Sequence, residues 1–503
     1  MSICTIYISF IPMAAVSSIT TPLDSGVSLD SGVSLDQQRE FIKKIVLGSG
    51  NKPVHIEDNM VPYIYSIYQN EKIDLKEISK LFNKTDFEYF ALQYGTYYWI
   101  KEDYKNAFEV YKNASDLLGD SSGYITQQLG DLYYVGKGVE QDYKMAFQWY
   151  KKGAQMEQVD AMHSLGNCYY DGKGVEQDSK IAMELLEKAA KMGNVTSMHS
   201  LGSYYYYGNG VEQNYKIAFQ WYKKAAEMND ADAMHWIGCC YYDGKGVEQD
   251  YKMAVEWYKK AVELEEVSAM HSLGTCYHEG KGVEQDYKMA VEWYKKAAIA
   301  GNVNGMHSLA GCYYTGTGVD RDYKMAIQLF EKAIEGEHRE AMYWLGVCYY
   351  EGEGVEKDYK TAFVLFGKAA KLGNSNSTHW VGFCYFNGIG VEKDYKTAIE
   401  YYEKSAQMGY TRAVVNLGNC YYEGKGVEKD LITAIKWYKI AADQGDEYSI
   451  SKLKSITAFQ LIDQLIEIKL KIDHLEAMNT HLRLFPGTDY KKAEEDFYSM
   501  GGL

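Results

Sequence analysis

One 36-residue pattern recurs nine times between residues 124 and 448, and it constrains the fold more than any other feature of the chain. A leucine–glycine step places its glycine at Gly130, Gly166, Gly202, Gly238, Gly274, Gly346, Gly382 and Gly418, with Ala310 as the sixth copy. A G-x-G-V stretch follows every time, from 136–139 to 424–427, and the spacing never slips. A fixed period in this range belongs to solenoids, in which no unit buries its apolar face alone and each stacks on the next.

Each unit reads as two helices. In 160–171, Met162, Leu165, Gly166 and Tyr169 fall at i, i+3, i+4 and i+7, which is one stripe of a short helix. Glycine then stops it, because glycine accepts the left-handed conformation that a helix C-terminus needs. Asp178 is placed to cap the second helix, whose Ala182, Leu185, Leu186 and Ala189 share a face. Equivalent caps stand at Asp142, Asn214, Asp250, Asp286, Asp322, Asp358, Asp394 and Asp430. Gly166 and Ala182 are small enough to let the two backbones approach. Trp149, Trp221, Trp257, Trp293 and Trp437 on the second helices restore bulk and are expected to fill space between units.

Over 161–190 and 233–262 these residues resemble the Sel-1-like repeat family, a relative of tetratricopeptide repeats with a longer loop between its helices. The resemblance covers about two thirds of the chain. It implies an all-α fold, a right-handed α-solenoid of stacked helix-turn-helix repeats with a concave groove, and a non-enzymatic role as scaffold or adaptor for a protein or peptide partner. The expected organisation is a disordered or weak targeting segment at 1–39, a helical lead-in at 40–90 and a tetratricopeptide-like hairpin at 91–120. The nine repeats follow at 124–448, and 449–503 forms a C-terminal helical cap or short coiled coil.

In that last segment Leu461, Leu465, Ile468, Ile472, Leu475, Asn479 and Leu482 are spaced 4-3-4-3-4-3 along one expected helix, 456–484. A single polar residue in such a seam sets register and strand number. Two readings stay open: a homodimer through 461–482, or a helix that caps the last repeat.

The chain carries a net charge of −16. That argues against nucleic acid as a partner, since phosphate binding requires a basic surface. Residues 1–22 are uncharged and apolar in part, but Pro12 interrupts the run, which is too short to predict a membrane span. Five prolines and 48 tyrosines, with abundant Lys, Ile and Asn, fit an AT-rich coding genome such as that of a giant DNA virus.

Two ladders are candidates for chemistry. Seven of the nine cysteines recur at one station, Cys168, Cys240, Cys276, Cys312, Cys348, Cys384 and Cys420. Stacked helices stand about 8–10 Å apart, and a disulfide requires Cα atoms within roughly 7 Å, so the ladder cannot pair with itself. Small buried hydrophobes in a reducing, cytoplasmic compartment are the expectation, although secretion stays open. At most one cysteine in each repeat, apart from the adjacent Cys239 and Cys240, also sets the chain apart from the cysteine-rich branch of the family, secreted hydrolases that carry a disulfide in every repeat.

The second ladder is histidine: His163, His199, His235, His271, His307 and His379. Mapped onto the tetratricopeptide pattern this station points into the groove, as do those of Asn167 and Tyr170. The Tyr170 station is also occupied by Tyr206, Tyr242, Tyr314 and Tyr350. These side chains either line a partner groove or bond to neighbouring repeats and hold the stack. Rungs so far apart cannot converge on a metal ion, and no nucleophile, phosphate-loop or zinc motif is present. No catalytic residue, cofactor or metal is therefore expected.

Overall fold

The computed structural model of the chain describes residues 75–79, 84–119 and 121–484. The expectations for 1–39, for the first part of the lead-in and for 485–503 lie outside the described residues. Among the described residues the regular structure is entirely α-helical, and nine helix pairs repeat in order as a stacked solenoid.

The chain divides into two compact units, Met1–Ser197 and Met198–Leu503. In the first, Leu75–Ser79, Lys84–Ile100 and Tyr104–Leu118 precede two repeats, Gly123–Val135 with Tyr143–Gln155 and Val159–Asp171 with Ser179–Lys191. One core joins Phe87, Phe90 and Tyr94 of the leading helices to Tyr111, Ile125, Leu129 and Trp149. The second unit carries the later repeats. They include the pairs Ala231–Asp243 with Tyr251–Glu263, Val267–Glu279 with Tyr287–Ile299, and Val303–Thr315 with Tyr323–Glu335.

The fourth repeat shows how the loop is built. Gly244 ends the first helix at φ 70° and donates its N–H to the Cys240 carbonyl, with Lys245 N–H reaching the same oxygen at 3.0 Å. Orphan carbonyls at the helix end are satisfied in this way. Asp250 accepts from the backbone N–H of Lys252 and Met253 at 2.9 and 3.1 Å, which starts the second helix. The two glycines between these caps differ in purpose. Gly246 is left-handed as well, at φ 78°, but a Cβ on it would lie 2.1 Å from the backbone oxygen of Tyr215 in the preceding repeat. It is glycine because two repeats touch there, backbone to backbone.

The leucine–glycine step is a packing site too. A Cβ on Gly238 would sit 2.4 Å from the ring of Tyr258, so the second helix lays an aromatic ring on the bare backbone of the first. Tyr222, Tyr402 and Tyr438 at the same station are fully buried. The second-helix tryptophans behave differently from expectation. Trp149 is buried, but Trp221, Trp257 and Trp293 are only half-buried. Each carries the ammonium of the lysine three residues on over its ring, 4.0–4.2 Å from the centroid. They fill space on one side and face lysine on the other.

Glu447–Leu484 is one continuous helix that starts directly after the last helix pair and runs through the terminal segment. Ile456 and Leu453 pack on Ala434 and Tyr438. Beyond them Ile466, Ile468, Leu470, Ile472 and Leu475 are exposed. The side chains of Leu461, Leu465 and Leu482 lie outside the described residues.

Candidate partner-binding face

Burial divides every first helix in two. In Val267–Glu279 the residues Ala269, Leu273, Gly274 and Cys276 are buried. His271, Ser272, Thr275 and His278 are half-buried on the other side. The histidine, asparagine and tyrosine stations lie on one side of the helix, because 163, 167 and 170 stand one and two turns apart; most are half-buried, but Tyr206 and His379 are buried.

The histidines bond from repeat to repeat. His235 Nε2 lies 3.1 Å from Ser272 Oγ, and His271 Nε2 lies 3.0 Å from Ser308 Oγ. His379 Nε2 meets Asn416 at 3.0 Å. In the first unit His163 lies 3.0 Å from Ser197 Oγ and 2.9 Å from Asn167 Nδ2. In the second unit the partner is thus the residue after the next histidine station, whereas Ser197 stands two residues before it. Where that residue is Trp236, the bond is lost and His199 Nε2 is buried with no partner. His307 has Trp344 at the same place and instead stacks on His338, ring centroids 4.6 Å apart. Burial pushes His235, His271, His307 and His379 down to about 4, so the rings are neutral at pH 7.

Trp236, Trp344 and Trp380 are functional candidates that reading the repeat did not single out. Six copies place Ser, Gln or Asn at this station, so the tryptophans vanish in a consensus. Trp236 stacks on Tyr222 at 5.8 Å and meets Tyr206 and the exposed Tyr207. Trp380 stacks on Phe366 and reaches Tyr350 at 4.9 Å.

The tyrosine station is held by a bond across 39 residues. The loop lysine of the following repeat, Lys245, donates to Tyr206 Oη at 3.0 Å, and Lys281 donates to Tyr242 Oη at 3.1 Å. Each lysine also pairs with the acid two residues before it, Asp243 at 2.9 Å and Glu279 at 2.8 Å. Tyr206 is buried, whereas Tyr170, Tyr242, Tyr314 and Tyr350 are half-buried. Burial raises the hydroxyl of Tyr242 to about 12, and the bond to Glu279 adds to this.

The sulfur ladder lies on the buried side. The eight cysteines of the described residues are free, seven of them buried, and burial pushes those at the repeated station up to about 11–12. Cys239 is 3.5 Å from His235 Nε2. Among the described residues no group of three or more His, Cys, Asp or Glu could hold a metal ion, and no helix is long and apolar enough to cross a membrane.

Comparison with known proteins gives nine consecutive matches to the Sel1 repeat, at residues 127–157, 159–194, 195–230, 231–265, 267–302, 303–338, 339–374, 375–410 and 411–446. Among solved structures the chain is similar to c5321, a protective antigen of uropathogenic Escherichia coli displaying an SLR fold. Identity is 30% over 70% of this chain and 83% of that one, with a TM-score of 0.49. A Sel1 repeat protein from Oxalobacter formigenes is 31% identical over 50% of this chain and 100% of its own, with a TM-score of 0.46. Cysteine rich protein B of Helicobacter pylori is 29% identical over 26% of this chain and 96% of its own, with a TM-score of 0.23. A search of curated proteins returns no match.

Proposed function

The chain belongs to the Sel1 repeat family, and on that premise we propose that it is a non-enzymatic scaffold holding a protein or peptide partner on the open face of its first helices. The observation that carries this reading is the run of half-buried aromatic and imidazole side chains on that face, with Tyr207 53% exposed beside Trp236. Contiguous aromatic surface of this kind marks interaction sites. A partner would meet His163, Asn167 and Tyr170 in one unit. In the other it would meet His199, His235, Tyr242, His271, His307, Tyr314 and Tyr350, with the buried Tyr206 and His379 beneath them.

The test should leave the stack intact. Alanine at Tyr206 or Tyr242 would also remove the lysine brace, so exposed positions of the face serve better. Thr315 and Asn387 stand there, both exposed. The double variant Thr315→Arg, Asn387→Arg should keep its helical content and lose partner capture in a quantitative pull-down. Recovery of the same proteins at the same yield would move the binding surface elsewhere.

A second association has its own observation. Ile468, Ile472 and Leu475 are 53%, 48% and 52% exposed on the terminal helix, in the expected heptad spacing. Leu453 and Ile456 already pack on the last repeat, which supports the reading that the stripe beyond them takes a second copy of the chain. Deleting 457–503 should halve the particle mass in light scattering. A full-length chain that is monomeric at micromolar concentration would refute the homodimer.

A further inference from the structure

The loop lysines lie over pairs of tyrosine rings. Lys281 Nζ lies 4.9 Å from the ring of Tyr242 and 5.3 Å from that of Tyr251, and Lys245 sits likewise over Tyr206 and Tyr215 at 5.1 and 5.6 Å. The two rings of each pair meet edge to face at 5.2 Å. Each pair is therefore a small aromatic seat for an ammonium group, filled by the protein itself.

The seat formed by Tyr314 and Tyr323 keeps the edge-to-face geometry at 5.4 Å, and Trp344 adds a third ring 5.3 Å from Tyr314. Its loop residue is not lysine but Glu353. That carboxylate accepts from the hydroxyls of both Tyr314 and Tyr323, the latter at 3.2 Å. Arg321 lies 5.7 Å from the Tyr323 centroid and bonds to the Thr315 carbonyl and to that same Tyr323 hydroxyl, so it reaches Glu353 only through the phenol. Among the described residues no lysine or arginine lies within ion-pair distance of Glu353. A half-buried carboxylate held by two tyrosine hydroxyls, with a third ring beside Tyr314 and no direct ion pair, has the charge and shape that suit an incoming cation.

We propose that Glu353, framed by Tyr314, Tyr323 and Trp344, receives a lysine or arginine side chain of the partner, taking from outside the cation that Lys245 and Lys281 supply to their own seats. This rests on the scaffold reading and names the partner's chemistry: a basic peptide segment.

The probe is a fluorescein-labelled peptide of alternating lysine and serine, with its Nε-acetylated form as control, titrated into the full chain by anisotropy at low salt. Glu353→Gln and Glu353→Lys should weaken binding about tenfold relative to Glu284→Gln, which removes an equal charge from an exposed loop position. Glu353→Lys rebuilds the Lys281 arrangement, so its melting curve controls for folding. Lys281→Glu should create a second seat and tighten binding. Equal binding by Glu353→Gln and Glu284→Gln, or by the acetylated peptide, would overturn the proposal. The two readings separate cleanly. If Thr315→Arg, Asn387→Arg loses the partner while both Glu353 variants keep it, the cation seat falls and the face stands. If the peptide titration depends on Glu353 but the arginine variant still captures the partner, the seat stands and the face reading falls.

Discussion

Replacing each of two neighbouring glycines by alanine should have unequal consequences, and the difference can be worked from the geometry. Gly244 and Gly246 are both left-handed, at φ 70° and 78°. Alanine at either position incurs the left-handed penalty of about 1–2 kcal/mol. At Gly244 the new methyl would meet Gln249 Cβ at 3.1 Å, a contact the loop can relax. At Gly246 it would lie 2.1 Å from the Tyr215 carbonyl oxygen and 2.9 Å from Lys216 N, both backbone atoms. Separating them means prising two repeats apart, an overpacking cost of about 1–3 kcal/mol more. Gly246→Ala should therefore lose about 2–5 kcal/mol against about 1–2 kcal/mol for Gly244→Ala. Urea unfolding followed by circular dichroism measures both, and hydrogen exchange over 215–263 locates the loss. Equal destabilisation by the two variants would refute the claim that the second glycine serves repeat-to-repeat contact.

Other predictions concern caps, protons and thiols. Glu157, Glu265 and Glu337 hold φ near 60° where other repeats have Gly193, Gly301 or Gly373. Glycine at each should stabilise by about 0.5–1 kcal/mol in thermal or urea melts. The histidines at about 4 in the fold titrate at 6.5 when unfolded, so as pH falls the unfolded chain takes protons first. Their contribution to stability is complete above pH 6.5 and is lost toward pH 4, at about 1 kcal/mol per histidine per pH unit. Asp230 and Glu266, raised by burial, act in the opposite direction. Imidazole titration by NMR with midpoints near 6.5 in the folded chain would show that the rings are not held neutral. The buried thiols, raised by burial, should resist a disulfide reagent at pH 8 in the native chain and react fully in denaturant.

The helix pairs, their caps and the packing at the leucine–glycine step were legible because each is a local rule repeated nine times. Asp250 and Gly244 announce a start and a stop by residue type alone. What was not legible lies between repeats. The Lys281–Tyr242 bond spans 39 residues, and no spacing within one repeat reveals it. The need for glycine at Gly246 comes from a backbone in another repeat, so the sequence reads it only as a turn. Trp236, Trp344 and Trp380 escape the pattern for a related reason: a repeat displays what recurs, and these residues depart from it. Glu353 is such a departure, acidic where five of the nine loops carry lysine.

Site-specific photo-crosslinking tests the central claim most directly. A benzophenone side chain would be placed at Thr315 or Asn387 on the first-helix face, and in parallel at Lys259 or Lys295, exposed on the second helices. Irradiation of cell extract should yield one recurrent crosslinked protein from the first-helix positions and none above background from the second-helix positions. Crosslinks to that protein from Lys259 or Lys295, with Thr315 and Asn387 silent, would contradict the account.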